Sequence, residues 1–109
     1  MGRRIAALVV VAVFAAAGSA IPALAASKKT IDVDDNVFKP KSATVAKGTT
    51  VTWDWIGEAP HNVVVVTGPQ KFRSAVQTTG TFKQKLTKAG TYKIVCTIHS
   101  GMDLKLKVR

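Results

Sequence analysis

From Ile31 to the last residue, apolar side chains recur with a period of two in one short segment after another, and no long stretch carries helical spacing. Ile31 and Val33 alternate with Asp32 and Asp34, and Val51, Trp53 and Trp55 with Thr50, Thr52 and Asp54. Phe82 and Leu86 face away from Lys83 and Lys85, while Tyr92, Ile94 and Cys96 share a face. The chain ends on Leu104-Lys105-Leu106-Lys107-Val108-Arg109. Turn-forming residues punctuate these runs at Lys39-Pro40, Lys47-Gly48, Gly57 to Pro60, Gly68-Pro69, Thr79-Gly80 and Ala89-Gly90. Such a pattern can fold as an all-β antiparallel sandwich or barrel. The unbroken run Val63 to Val66 fits a strand buried on both faces. Gln70 to Gln77 fits either a short strand or a helical turn.

Residues 1–26 have a different character. Arg3 and Arg4 precede an apolar run from Ile5 to Ala17, and Ala23-Leu24-Ala25 offers a small-x-small cleavage site. This is the pattern of a secretory signal peptide; the run is short for a retained membrane anchor. The expected division is therefore a signal peptide over 1–26 and one domain over 27–109, exported to the periplasm or outer cell envelope, with no stable membrane insertion after cleavage. Cleavage after Ala25 leaves 109 − 25 = 84 residues with a charge of (16 − 2) − 6 = +8. One Cys excludes an internal disulfide, and two His exclude any site built on three imidazoles. A free thiol in an oxidising compartment is a liability unless its sulfur is occupied.

The chemistry-bearing residues are few and close together. Cys96, His99 and Met102 lie within seven residues, in a loop between two strand patterns. His61 follows the Pro60 turn at the head of the valine run. In a sandwich, strand ends distant in sequence can meet at one pole. Two imidazoles, a thiolate and a thioether make the ligand set of a blue-copper site, the soft sulfurs suiting Cu(I) and imidazole both copper states. A structural zinc site and a cysteine nucleophile paired with His99 are the rivals. Zinc prefers a fourth ligand better than a thioether, and no orienting acid or oxyanion site accompanies the thiol. Taken singly, each residue also fits core filler or surface histidine.

Over Ile31 to Val108 the chain resembles the cupredoxins of the plastocyanin, amicyanin and pseudoazurin group. The resemblance rests on Phe38-x-Pro40, Val45-x-x-Gly48-Thr49-x-Val51-x-Trp53, Ala59-Pro60-His61-Asn62-Val63, Gly90-Thr91-Tyr92 and Cys96-x-x-His99-x-x-Met102. The last spacing is the short one of amicyanin. The resemblance implies a Greek-key β-sandwich with one type 1 copper ion near one end. It makes His61, Cys96 and His99 the strong ligands and Met102 the weak axial one. Asn62 would tie the two ligand loops together, its backbone N–H approaching the Cys96 sulfur. Three positions depart from the group's pattern. Ser100 stands where Pro is common between His and Met, and Trp55 where Asn is common. Ile98 replaces a Pro found in some short-loop relatives, which leaves an N–H able to donate to the Cys96 sulfur.

The implied function is one-electron transfer between redox proteins, with a copper buffer or delivery protein as the alternative, and no enzymatic activity. Electrons would leave by the edge of His99, framed by Ala59, Pro60 and Ile98, with Ile56 a further candidate. The positive charge would orient partners with acidic docking surfaces, such as a reductase, dehydrogenase or cytochrome. Nucleic acid is not an expected partner, because the basic residues sit singly on strand faces and aromatics make up only 6%. The resemblance implies a monomer.

Overall fold

The computed structural model describes residues 27–109; the signal-peptide reading of 1–26 lies outside them. Eight strands follow in chain order: β1 (Lys28–Asp34), β2 (Val37–Lys39), β3 (Ser42–Val45), β4 (Thr50–Trp55), β5 (Val64–Thr67), β6 (Thr81–Lys85), β7 (Gly90–Val95) and β8 (Asp103–Val108). They form two four-stranded sheets, ordered β2-β1-β4-β6 and β3-β8-β7-β5. No described residue is helical, and no helix among them could cross a membrane. The fold is the cupredoxin-like β-sandwich.

Alternation becomes burial strand by strand. Along β4, Val51, Trp53 and Trp55 turn inward; along β8, Leu104, Leu106 and Val108 do so while Lys105 and Lys107 stay in solvent. Ile31, Val33, Tyr92 and Ile94 complete the inner faces. Trp53 is the central side chain of the core, its ring 5.7 Å from Phe72 and 5.8 Å from Phe82. Its Nε1 and the Thr49 hydroxyl are buried without a partner, a cost of about 1–3 kcal/mol each that the packing offsets.

Two pairings are parallel, β1 with β4 and β3 with β8, where alternation alone suggested an antiparallel sandwich. The chain crosses from one sheet to the other after β2, so strands distant in sequence become neighbours running the same way. The valine run also differs from expectation. β5 is an edge strand; Val63 and Val65 point into the core, while Val66 is 46% exposed. With no strand or layer over its outer side among the described residues, continuous apolarity there reflects β-branched propensity and not burial on two faces. Gln70 to Gln77 is an extended segment held by isolated bridges, Arg73 to Val64 and Gln77 to His61.

The two faces of β8 give a direct test. Leu106→Ala, at a fully buried position, is expected to cost about 2–5 kcal/mol in urea unfolding, whereas Lys107→Ala on the opposite face should stay within about 0.5 kcal/mol of the parent.

Candidate metal centre

His61 lies in the connection from β4 to β5, and its backbone is fixed on both sides. It exchanges N–H···O bonds of 3.0 Å in each direction with Gln77. Its carbonyl also accepts the indole N–H of Trp55 at 3.0 Å. This gives Trp55 a role that the sequence alone does not reveal: the ring fills the core and its nitrogen holds the histidine loop. The neighbouring Val63 N–H donates to the buried Ser74 hydroxyl at 2.9 Å, extending the same anchor.

The loop from Cys96 to Met102 connects β7 to β8 in the other sheet. The Cys96 N–H donates to the Met102 carbonyl at 3.0 Å, closing the loop at its base. Gly101, at φ +78°, turns the chain where a side chain would be strained. Met102 is buried, at the inner end of the loop. The two loops are joined by one carboxamide. Thr97 N–H donates to Asn62 Oδ1 at 2.8 Å, and Asn62 Nδ2 donates to Thr97 Oγ1 at 2.9 Å.

This scaffold brings three of the residues singled out in the sequence to one point. His61 Nδ1 lies 3.0 Å from His99 Nδ1, and Cys96 Sγ lies 3.9 and 3.5 Å from those two atoms. Metal–nitrogen bonds of about 2.0 Å and metal–sulfur bonds of about 2.3 Å, at near-tetrahedral angles, separate donors by about 3.3–3.5 Å. The cluster therefore fits one first-row metal ion. His61 and Cys96 are buried and His99 is partly exposed, so the sulfur is shielded from water and one imidazole edge reaches the surface. Pro60 and Ile98 are exposed nearby in sequence, and Ala59 is half-buried. Among the described residues, the hydrogen-bonding contacts of the Cys96 sulfur are these two imidazoles, and the Ile98 amide makes none to it.

One residue at the site was not identified from sequence. Asp35, in the turn between β1 and β2, places Oδ1 3.0 Å from His61 Nε2. The same carboxylate accepts the N–H groups of Ala59 at 2.8 Å and Glu58 at 3.0 Å. Those bonds, the Ala59 amide first and then the His61 ring and the Glu58 amide, hold its pKa down at about 2. The approach is close enough that Gly57 has no room for a Cβ, which would lie 2.5 Å from Asp35 Oδ1. An Asp-Asp-Asn turn ordinarily signals only local turn chemistry; the glycine at 57 was the one hint of a close approach.

The sequence profile of the copper binding proteins of the plastocyanin/azurin family matches residues 25–109. The chain belongs to this family. Copper is thus its metal, and the His61–Cys96–His99 cluster is a donor set suited to the type 1 form. Plastocyanin A/B of Petroselinum crispum is 32% identical over 85 residues, covering 66% of this chain and 84% of that one. An oxidised amicyanin variant superposes with a TM-score of 0.63 at 28% identity, over 77% of this chain and 82% of the other. A Cu-containing nitrite reductase from Thermus scotoductus SA-01 superposes with a TM-score of 0.66 at 27% identity, over 75% of this cupredoxin; the match spans 22% of the reductase chain.

Trp55→Phe tests the anchor of the histidine loop. The His61 carbonyl keeps its Gln77 partner, so the polar loss is one hydrogen bond, about 1 kcal/mol, and the core volume vacated by the smaller ring adds a packing loss in chemical denaturation. Amide hydrogen exchange should accelerate at His61 and Gln77 while the Tyr92 amide stays protected.

Proposed function

We propose that this cupredoxin is a one-electron carrier in which His61, Cys96, His99 and Met102 hold one type 1 copper ion. The observation that carries the reading is the asymmetry of exposure: His61 and Cys96 are buried and His99 is partly exposed. Copper supplies the Cu(II)/Cu(I) couple when bound. The chain supplies donors whose positions are already set by the Trp55, Gln77 and Asn62–Thr97 hydrogen bonds, so the site need move little between charge states. The buried thiolate is kept from water and oxidants, and the His99 edge offers the path to a partner. Ala59, Pro60 and the 47% exposed Ile98 are the apolar contacts we assign around that edge. Both histidines are committed to one ion, which leaves none for a second metal, and we read the chain as a carrier and not an enzyme. The envelope location, signal cleavage after Ala25 and a monomeric state belong to the same proposal.

The register refines the partner surface. Asp32 and Asp54 are cross-strand neighbours in the parallel β1–β4 pair. Asp34 ends β1, Asp35 and Glu58 lie in the loops beyond, and Asp103 opens β8 opposite Val95. These are all six Asp and Glu residues of the chain, and by register they lie in the half of the sandwich toward the cluster. The opposite end carries Lys28, Lys47, Lys85, Lys88, Lys107 and Arg109 and no Asp or Glu. The net charge of +8 still draws acidic redox proteins from a distance, but contact at His99 falls to the apolar residues. Raising the ionic strength shortens the screening length from about 30 Å to about 8 Å, and should slow electron transfer from an acidic donor protein.

The deciding experiment adds Cu(II) to the mature protein. An intense absorption at roughly 600 nm, bleached on reduction and lost in Cys96→Ala, is expected for thiolate ligation. Tight Cu(I) binding without that band, with ready exchange to a chelator, would favour copper delivery instead; no copper binding would overturn the ligand set.

A further inference from the structure

The buried face of His61 is occupied by a carboxylate that the ligand set does not require. His61 is 0% exposed, and its two nitrogens are both spoken for: Nδ1 faces Cys96 and His99, while Nε2 meets Asp35 Oδ1 at 3.0 Å. An ionised carboxylate only accepts hydrogen bonds. The proton of a neutral His61 must then sit on Nε2, and the lone pair on Nδ1 points at the cluster. Asp35 is itself fixed, because Ala59 and Glu58 amides hold its oxygens from the loop leading into His61. It is also partly exposed, at 40% of its side chain, so its charge is screened but not cancelled. The ion pair between Lys39 and Asp34, at 2.7 Å, engages the neighbouring carboxylate and leaves Asp35 to the histidine.

We infer that Asp35 is a positioning residue that sets the His61 tautomer, makes its Nδ1 a stronger donor, and biases bound copper toward Cu(II). A carboxylate behind a metal-bound imidazole fixes the ring and raises its basicity. The added negative charge favours the more highly charged ion. The inference rests on the ligand set proposed above for the copper step, but its tautomer step concerns the metal-free protein.

Nitrogen-15 NMR of the metal-free protein reads that step directly. The expected result is His61 protonated on Nε2, with a slowly exchanging proton, and a mixture of tautomers in Asp35→Ala. Protonation on Nδ1 in the parent would overturn the inference whether or not copper binds. The second measurement is the reduction potential. Asp35→Asn retains Oδ1 for the Ala59 and Glu58 amides and for Nε2–H, removes the charge, and loses only the second Glu58 contact at Oδ2. It should keep the band at roughly 600 nm and shift the Cu(II)/Cu(I) preference toward Cu(I) by about tenfold, a rise of about 59 mV for one electron. Asp35→Glu should move the potential back toward the parent. An unchanged potential in Asp35→Asn, with the tautomer intact, would sink the electronic part; a purely structural role would alter stability and leave the potential alone. Absence of the band in the parent would instead indict the ligand set, leaving the NMR result to decide the role of Asp35. Should Asp35→Asn fail to fold, the parent spectrum and the Asp35→Ala potential carry the test, an unchanged potential there again sinking the electronic part.

Discussion

A thiolate and two imidazoles can share an ion only if the loops that carry them are held to within a few tenths of an ångström of one another. Here the hold is the Asn62 carboxamide, which bonds both the amide and the hydroxyl of Thr97 across 35 residues of sequence. Everything upstream serves to deliver Asn62 and Thr97 to that meeting. β4 runs parallel to β1 and hands the chain to the His61 loop; β7 delivers Cys96 from the other sheet. A slip of one residue in a strand of either sheet would turn that strand's core side chains outward and displace the loop it carries. The cluster's geometry is thus a consequence of sheet register, fixed before any ligand arrives.

The histidine loop shows how several weak ties add to one rigid position. Backbone bonds to Gln77, the Trp55 indole and the Asp35 carboxylate act on different atoms of the same residue. Each is of ordinary strength; the first two fix the backbone of His61 and the third orients its ring. The short Cys96–Met102 loop reaches the same end differently, by closing on itself through one backbone bond and a glycine turn. That closure is available with Ser100 in place of the proline found in related loops.

Much of this was legible in the sequence. Alternation located β1, β4, β6, β7 and β8, because each sheet has one wet and one dry face and period two records that directly; it did not mark the short β2 and β3. The donor residues stood out because the chain has so few of them: one Cys and two His. What was hidden depended on partners remote in sequence. Parallel pairing of β1 with β4 leaves no local mark, since strands of either sense alternate alike. The one-sided burial of β5 was masked by four consecutive valines, whose preference for extended backbone does not depend on burial. Asp35 drew no reading from the sequence, and Trp55 read as one more inward side chain of β4. Both matter through His61, 26 and 6 residues away, and only the folded chain shows those distances closed.

The uneven placement of charge has a consequence for how the molecule travels. With every Asp and Glu toward the metal end and lysines dominating the other, the protein behaves as a monopole with a superimposed dipole. In the field of an acidic surface it is attracted and at the same time turned, and the torque points the lysine-rich end inward. An approaching molecule would then present the His99 end away from the most acidic region. In the carrier role proposed above, a productive encounter would require either a rolling search across the partner or a partner whose electron-exchange site is set apart from its negative charge. Net charge and its distribution thus act separately, the first on the frequency of encounter and the second on the fraction that arrive correctly oriented.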